Sequence, residues 1–323
     1  MFWFSSGQQT RALYQHAATA GYAVLAVNAD SPAAIVDCLI AARACDAPII
    51  VETSLWQLTG HSFGVGDPCL GIDRFLAELH TLAACERFRD VPVIYHTDHI
   101  KGPATVSILT HAMRKRASSI SLDSSSMSAE ENIATMIRLC EIAAQEKLPL
   151  TLEMEAGVDD GVTPLEETRT LFGEVEKRMP GRLALWAPGV GTKHGLGNDL
   201  GGFNPDAIRA HRDLASELAG RPIGIALHGS SGLTEAQLAA GVAAGVAKVN
   251  WSSESLLIRS EAAAAFFDQN RERLRQTHPD FKATAMDNGL QQSISAAYVP
   301  KVMARIESLG GRGRAADFLK TLA

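Results

Sequence analysis

Short stretches of apolar, branched residues alternate along the chain with longer stretches in which apolar residues recur at helical spacing. The apolar stretches are continuous, which is typical of strands that are buried on both faces of a parallel sheet. Eight strands are predicted, at 23–28, 48–54, 92–98, 118–123, 150–155, 183–188, 223–228 and 247–251. Each is followed by a predicted helix, at 32–44, 72–85, 105–116, 130–146, 166–178, 205–218, 234–244 and 254–270.

This succession of strand–helix units favours an α/β fold in which eight strands close into a (β/α)8 TIM barrel. A doubly wound open sheet is the second possibility, but no GxGxxG follows the first strand and no GxxxxGK[ST] occurs. Residues 9–19 are expected to form an N-terminal helix that plugs the barrel floor. Residues after about 278 are expected to form a C-terminal helical extension, with a helix at 293–308. Because no linker divides the pattern, residues 1–323 are interpreted as a single barrel domain.

The amino-acid composition argues against nucleic acids and membranes as partners. Of 323 residues, 46% are apolar, and 30 Lys and Arg against 36 Asp and Glu give a net charge of −6. That balance argues against a nucleic-acid-binding surface. No apolar run is long enough to cross a bilayer, and the first residues lack a signal-peptide pattern, so no membrane partner is expected and a cytoplasmic location is the default. The five cysteines contain no CxxC pair, and Cys38, Cys45 and Cys140 are expected to be buried thiols.

Polar side chains follow the predicted strands, where barrel enzymes carry their working residues. Among them, His99, His194 and His228 follow three different strands on one rim. One such histidine alone would more commonly hydrogen-bond a loop carbonyl. Three together, two of them directly followed by glycine, predict a metal site, because three neutral imidazoles with an open position form a catalytic zinc ligand set.

Glycine and serine are concentrated after the last three predicted strands. Gly195 and Gly229 would let backbone N–H groups approach an anion, and Ser231 and Ser253 add hydroxyl donors. Phosphate sites in such barrels often use the loops after strands seven and eight. Ordinary turns would use the same residues, so this pattern alone leaves both interpretations open.

Several unrelated motifs together resemble the class II, zinc-dependent fructose-bisphosphate and tagatose-bisphosphate aldolase family. They are His96-Thr97-Asp98-His99, Leu122-Asp123-Ser124-Ser125, Gly191-Thr192-Lys193-His194-Gly195 and His228-Gly229-Ser230-Ser231-Gly232, in the family's order. The resemblance implies retro-aldol cleavage of a ketose phosphate, similar to fructose or tagatose 1,6-bisphosphate, to dihydroxyacetone phosphate and an aldehyde. It also implies a homodimer or homotetramer.

The resemblance assigns roles to individual positions. His99, His194 and His228 match the zinc ligands, and zinc would polarise the ketone and hydroxyl of a dihydroxyacetone-phosphate-like donor. Asp98 matches the acid/base that takes the C4 hydroxyl proton in cleavage. Asn250 matches a residue that holds the enediolate. The other substrate-binding positions are Asn28, Ser54, Gly195, Gly229, Ser231, Ser252 and Ser253.

Two further features follow from the same match. A monovalent cation, Na+ or K+, is expected near the phosphate through carbonyls around 193–195 and 229. Glu155 matches a glutamate that contacts the metal region, and Asp123 matches a nearby acidic position, although a structural polar network is the alternative for either. Glu153 and Glu155 are two apart on one strand, so both face the interior and need cations there.

The chain departs from the family on the rim that meets substrate. The loop at 155–162 is shorter than usual, so Asp159, with Asp160 in reserve, is only a candidate for the base that moves the donor proton. Ser252 stands where many members have aspartate. The acceptor half is therefore expected to differ from glyceraldehyde 3-phosphate. A distal phosphate would need an arginine or a lysine, from this chain or from a neighbouring subunit, and the sequence does not choose among four candidates: Lys101, Lys193, Arg312 and Arg314.

Three other functions compete with this one. A Schiff-base aldolase would use Lys248, which is also suited to be a buried partner of Glu153 or Glu155. A non-catalytic sugar-phosphate-binding barrel subunit is disfavoured because Asp98 and all three histidines are present. A zinc-dependent hydrolase could use the same metal, but it would not need the glycines of a phosphate site.

Overall fold

A closed barrel of parallel strands organises the computed structural model, which describes residues 6–157, 159, 161–196 and 202–322. Each strand pairs with its neighbours in chain order, and the first pairs with the last. The strands are β1 (Val24–Asn28), β2 (Ile49–Thr53), β3 (Val93–Thr97), β4 (Ser119–Ile120), β5 (Thr151–Glu155), β6 (Leu183–Ala187), β7 (Gly224–Leu227) and β8 (Val246–Trp251). The predicted (β/α)8 fold is confirmed.

Helices cover the outside of this barrel. They are α1 (Gly7–Ala20), α2 (Pro32–Ala44), α3 (Leu55–Thr59), α4 (Pro68–Ala84), α5 (Thr105–Arg114), α6 (Ala129–Glu146), α7 (Leu165–Glu167), α8 (Gly173–Arg178), α9 (Pro205–Ala219), α10 (Glu235–Ala244), α11 (Ser253–Gln269), α12 (Phe281–Ala285), α13 (Asp287–Ser308) and α14 (Arg314–Lys320). A π-helical turn, Thr168–Phe172, joins α7 and α8. Within the described residues, no helix is both long and apolar enough to cross a bilayer.

The same local signal starts α2, α4 and α9. In each, the N-cap side chain accepts a hydrogen bond from a backbone N–H of the first turn, and a proline follows; the caps are Ser31, Asp67 and Asn204. The cap satisfies a donor that has no partner inside the helix, and proline at the first position loses no hydrogen bond. The sequence therefore sets the residue at which each of these helices begins.

The floor of the barrel is closed by α1, as predicted. Leu13, Tyr14 and Ala17 are buried and pack against small and branched residues that point into the barrel. The hydroxyl groups of Tyr14 and Ser119 lie 2.7 Å apart, which satisfies both inside this floor. Because apolar side chains fill this end, polar groups inside the barrel are concentrated at the opposite end, where the strands terminate.

Several boundaries differ from the predicted ones. β4 has two residues because the backbone N–H of Asp123 donates to the carbonyl of Ile100 and so leaves the ladder. The predicted helix at 166–178 is interrupted by the π-helical turn. α3 was not predicted, although Ser54 and Gln57 form a capping box that the sequence displays. The C-terminal helix begins at Asp287, six residues before its predicted start, and α12 and α14 flank it.

The C-terminal helices form an extra layer on one side of the barrel. α13 packs against α2 and α11. Gly313 then donates its backbone N–H to the carbonyl of Cys45, which precedes β2, so the chain finishes near the barrel floor. Cys38, Cys45 and Cys140 are buried and free, as predicted.

Candidate active site

Three imidazoles meet at the rim formed by the carboxyl ends of the strands. His99 follows β3, His194 lies in the loop after β6, and His228 directly follows β7. Each offers a ring nitrogen, and these nitrogens lie within 4.8 Å of one another. The ring centroids are 4.8 Å apart for His99 and His194, and 5.1 Å apart for His99 and His228. The histidines that the sequence singled out are thus brought to one point.

His99 has a backbone conformation that few non-glycine residues adopt. Its φ of 50° lies in the left-handed region. Such strain persists only where the surrounding structure enforces it, and it is concentrated at functional sites. Here it turns the residue after Asp98 so that its ring faces the other two histidines.

Carboxyl groups approach the same point. Ligand atoms of Asp98, His99, Glu155 and His228 form a second group within 4.8 Å of one another. Nδ1 of His99 lies 3.8 Å from Oε2 of Glu155, and its Nε2 lies 3.5 Å from Oδ1 of Asp98. Glu155 is therefore placed where it could add a fourth ligand to three imidazoles.

The surroundings of the two ring nitrogens of His228 show whether these residues fit a metal ion. The ring is fully buried, and its Nε2 lies 2.7 Å from Oε1 of Glu153. Its Nδ1 is also buried, yet it has no hydrogen-bond partner among the described residues. An unsatisfied buried nitrogen is costly, whereas a metal ion would occupy its lone pair, and a carboxylate on the other nitrogen is the usual support for a metal-binding histidine. The residues fit a divalent ion, and three imidazoles with an optional carboxylate suit zinc.

Asp98 lies buried beside the histidines. Its Oδ2 accepts a hydrogen bond of 2.9 Å from Nδ2 of Asn28, and its Oδ1 accepts one of 3.0 Å from Nδ2 of Asn250. Burial alone would raise its pKa, but the imidazoles of His99 and His228 and the donation by Asn28 outweigh it and set the pKa to about 2. Asp98 is therefore an oriented, ionised carboxylate at neutral pH.

The pKa of Glu155 is shifted in the opposite direction to that of Asp98. Ser121 Oγ donates to its Oε1 at 2.8 Å, but burial and the neighbouring carboxylates of Asp98 and Glu153 raise its pKa well above the ordinary value. This environment therefore disfavours the ionised form of Glu155 relative to water. A bound cation would reverse this preference because it stabilises the ionised form.

Lys248 supplies a positive charge beneath the histidines. Its fully buried Nζ lies 3.0 Å from Oε2 of Glu153 and 3.3 Å from Oε2 of Glu52, and it donates to Oδ1 of Asn250 at 2.5 Å. Burial would lower the pKa of Lys248, but Glu153 and Glu52 outweigh it and raise it. A lysine held in its protonated form is a poor nucleophile, so this arrangement argues against the Schiff-base alternative. The pairing with Glu153 is as predicted.

Two buried residues of this network were missed at the sequence level. Glu52 lies in the middle of an apolar strand, and His96 donates or accepts through Nδ1 with Ser119 Oγ at 2.7 Å. Burial and Lys248 lower the pKa of His96 to about 3, so its ring is neutral. The position of Glu52 in the middle of an apolar strand could have predicted its role. A carboxylate buried there requires a buried cation as its partner.

A cavity of about 420 Å³ opens on one side of the histidines. It is lined by seven predicted substrate-binding residues, Asn28, Ser54, Gly195, Gly229, Ser231, Asn250 and Ser253, and by the eighth, Ser252. Helix α11 begins here, and its N-cap Ser252 makes no side-chain cap hydrogen bond. A helix N-terminus beside glycine and serine donors is suited to an anion. We call this space the donor cavity.

A second cavity of about 470 Å³ lies on the other side. Its lining residues are Ser54, Leu55, Trp56, His99, Lys101, Asp123, Ser125, Glu155, Gly157, Asp159 and His194. Ser54, Trp56, His99 and His194 line both cavities. The histidine cluster thus stands between them, and we call the second space the acceptor cavity.

Asp159 and Asp123 occupy different parts of the acceptor cavity. Oδ1 of Asp159 accepts a hydrogen bond from the backbone N–H of His194 at 2.8 Å and lies 2.9 Å from its Nδ1. Burial would raise the pKa of Asp159, but these contacts lower it. Asp123 lies in neither of the two groups described above; its Oδ2 pairs with Lys101 at 3.0 Å, and its Oδ1 accepts from Ser125. Asp160, the reserve candidate, lies outside the described residues.

The four candidate cations for a distal phosphate are not equivalent. Lys101 lines the acceptor cavity, whereas Lys193 is exposed and is not among the lining residues of either cavity. The guanidinium of Arg314 stacks on Tyr22, which precedes β1, and Arg312 pairs with Glu307. Because both arginines belong to the segment that ends at the barrel floor, they lie at the opposite end from the site, and the sequence-based suggestion for them is wrong within this chain.

These features define a (β/α)8 barrel with a histidine cluster that could hold a metal ion, placed between two cavities. A family model described as "Fructose-bisphosphate aldolase class-II" matches residues 8–314, and the chain belongs to that family. It is therefore an aldehyde-lyase of a family that is typically metal-dependent.

Individual relatives agree with the family match. The chain is 27% identical over 279 residues to fructose-bisphosphate aldolase 1 of Paracoccidioides lutzii, covering 77% of each chain. It is 27% identical over 268 residues to fructose-bisphosphate aldolase of Mycoplasma pneumoniae, covering 80% of this chain and 84% of that one. A crystal structure of fructose-bisphosphate aldolase from Campylobacter jejuni has the same fold, with a TM-score of 0.81 at 23% identity and 95% of both chains covered.

Alanine substitutions at Gly229 and Gly220 form a matched pair of variants. They test whether the position of the loop that carries His194 determines zinc affinity. Both have a φ near 60°, but a Cβ at 229 would lie 2.7 Å from the carbonyl of Lys193, whereas at 220 it would meet nothing within 4 Å. Gly220→Ala is expected to cost about 1 kcal/mol of stability and to leave zinc affinity unchanged. Gly229→Ala should cost more and weaken zinc binding at least about tenfold, because it displaces the residue before His194. Denaturant unfolding and chelator competition measure both; equal zinc affinities would contradict the prediction.

Glu155→Gln tests the pKa of a buried carboxyl. Because the folded, metal-free protein holds its proton more tightly than the unfolded chain does, wild type loses stability as pH rises above about 4.3, the ordinary glutamate pKa. The amide does not titrate, so the free energy of unfolding of Glu155→Gln relative to wild type should increase between pH 4 and 7 in chelator-treated protein. Glu130→Gln, on an exposed surface, is the control. A difference that is independent of pH would refute the assignment.

Proposed function

We propose that the protein is a zinc-dependent aldolase that cleaves a ketose phosphate by a retro-aldol reaction to dihydroxyacetone phosphate and an aldehyde. The observation that carries this proposal is the position of Asp98. It lines the cavity suited to a phosphate, beside the converging imidazoles, and the residue that follows it, His99, lines both this cavity and the one suited to the remainder of the substrate.

His99, His194 and His228 would hold the ion, with Glu155 within reach of the same point. A divalent ion bound there supplies a Lewis acid for the carbonyl group of the donor half. The protein contributes the positions of the ligands. Glu153 fixes the tautomer of His228, and Asp159 orients His194.

Asp98 would exchange the proton of the C4 hydroxyl. In cleavage the ionised carboxylate takes that proton as the bond between C3 and C4 breaks, and in condensation it returns the proton to the aldehyde oxygen. Asn28 and Asn250 hold both of its oxygens, so the carboxylate cannot rotate freely. Asn250 is itself held by Lys248, which leaves its amide directed at the reacting region.

The donor phosphate would bind in the donor cavity. Gly195 and Gly229 allow close backbone approach, Ser231 and Ser253 provide hydroxyl groups, and the N-terminus of α11 adds a favourable dipole. A monovalent cation through carbonyls at 193–195 and 229 belongs to the same proposal. Asp159 is the proposed base for the donor carbon, since it contacts His194, which lines both cavities.

Metal removal tests the proposed function. Treatment with EDTA is expected to abolish both cleavage of ketose phosphates and exchange of the donor proton of dihydroxyacetone phosphate with deuterated water, and zinc or cobalt should restore both. A bound-metal assay should show about one ion per chain, as one three-histidine site requires. Turnover that survives chelation, with a substrate adduct trapped by borohydride on Lys248, would instead support the Schiff-base alternative.

Asp98→Asn separates the two halves of the reaction. Loss of the acid/base is expected to lower kcat for cleavage by about 10²–10⁴-fold, whereas bound zinc and donor-proton exchange should be retained, because neither requires the C4 hydroxyl proton. Asp73→Asn, in an ion pair with His111 on the outside of the barrel, is the control and should leave both rates unchanged. If Asp98→Asn also loses zinc, the residue supports the metal site and does not transfer the proton.

A further inference from the structure

The donor and acceptor cavities differ in what they offer an anion. The donor cavity holds glycines, serine hydroxyls and a helix N-terminus, and Asp98 is the single carboxyl group among its described lining residues. Such a wall of N–H and O–H donors suits one phosphate group. The acceptor cavity has a different composition.

Three carboxyl groups line the acceptor cavity, those of Asp123, Glu155 and Asp159. Apart from the histidines of the cluster, Lys101 is the one basic side chain among its described lining residues. That ammonium group already lies 3.0 Å from Oδ2 of Asp123. The ion pair is held in place from behind, since Ser125 donates to Oδ1 of Asp123 through its backbone N–H at 2.9 Å and its hydroxyl at 2.5 Å.

No other lysine or arginine is among the described residues that line this cavity, and Lys193, which precedes His194 along the chain, is not one of them. Arg312 and Arg314 lie towards the barrel floor. None of the residues outside the described part of the chain is a lysine or an arginine. A phosphate on the acceptor half would therefore face carboxylates and a neutralised lysine, and like charges placed together at an interface are strongly unfavourable.

The same wall suits a neutral, hydroxyl-bearing molecule. Carboxylates accept hydrogen bonds from hydroxyl groups, and the indole of Trp56, 84% exposed at the cavity, offers a flat apolar surface for C–H groups. Sugar-like chains combine both kinds of surface. The acceptor cavity thus matches an unphosphorylated polyhydroxy aldehyde.

We propose that the acceptor half of the substrate carries no phosphate, so that the enzyme acts on a ketose with a single phosphate, held in the donor cavity. The inference rests on the proposed aldolase function and specifies its substrate class. The Asp123–Lys101 ion pair is the specificity-determining element, because it neutralises the one lysine or arginine among the described residues that line the acceptor cavity.

Matched substrates test this assignment. Cleavage of fructose 1-phosphate is compared with that of fructose 1,6-bisphosphate, and the same pair is used for tagatose. In condensation, glyceraldehyde and erythrose compete with their phosphorylated forms for dihydroxyacetone phosphate. The zinc-loaded enzyme is expected to favour the unphosphorylated acceptor by about tenfold or more in kcat/KM. Donor-proton exchange of dihydroxyacetone phosphate is measured in parallel, because it requires no acceptor.

Two variants test the ion pair. Asp123→Asn keeps the shape of the side chain but releases Lys101 and removes one negative charge, so the ratio of kcat/KM should shift towards the phosphorylated acceptor by about tenfold. Adding Lys101→Met to Asp123→Asn should cancel this shift. Because each ratio is measured within one protein, a change in zinc content affects both substrates equally.

The outcomes separate the two proposals. If donor-proton exchange is absent from the zinc-loaded enzyme, the aldolase function is wrong and the acceptor assignment falls with it. If exchange occurs but the phosphorylated acceptors are used equally well or better, or no unphosphorylated aldehyde is used, the acceptor assignment alone is overturned. A cation contributed by a second copy of the chain would give that result.

Discussion

The site depends on one buried ion pair, between Lys248 and Glu153. Glu153 on β5 points into a barrel whose walls are apolar, and its ionised carboxylate could not remain there without a compensating charge. Lys248 supplies that charge, and Glu153 then supports Nε2 of His228 from the other side. The pair thus connects the interior of the barrel to the geometry of the histidine cluster.

The interior of the barrel is therefore arranged in layers along its axis, with apolar residues at one end and charged residues towards the other. At the floor, α1 fills the interior with Leu13, Tyr14 and Ala17, which need no charges. Above it lies a layer of paired charges, and above that the imidazoles and Asp98 face the two cavities. The apolar floor stabilises the fold, whereas the layers above it carry the strained and charged groups. The residues that stabilise the barrel are thus separate from those of the candidate site.

Environment gives the carboxyl groups of this rim different properties. Asp98 is surrounded by amide donors and imidazoles, so its pKa is about 2. Glu155 is surrounded by other carboxylates, so its pKa is raised. Such divergent preferences within one cluster are how enzymes divide acid, base and ligand roles among similar side chains. A cation bound between the histidines would stabilise the ionised forms of both Asp98 and Glu155.

Local sequence determined much of this protein. Continuous apolar stretches and helix caps located all eight strands and the principal helices, because burial and capping depend on residues that are adjacent along the chain. Polar residues at strand ends pointed to His99, His194 and His228, since a parallel barrel brings those ends together. Only the tertiary structure decided which of the distant charges meet: that Lys248 pairs with Glu153 and Glu52 and not with Glu155, that Lys101 is neutralised by Asp123, and that Arg312 and Arg314 belong to the opposite end. The physical reason is that electrostatic interactions act through space over a few ångströms, and separation along the chain does not reveal those distances.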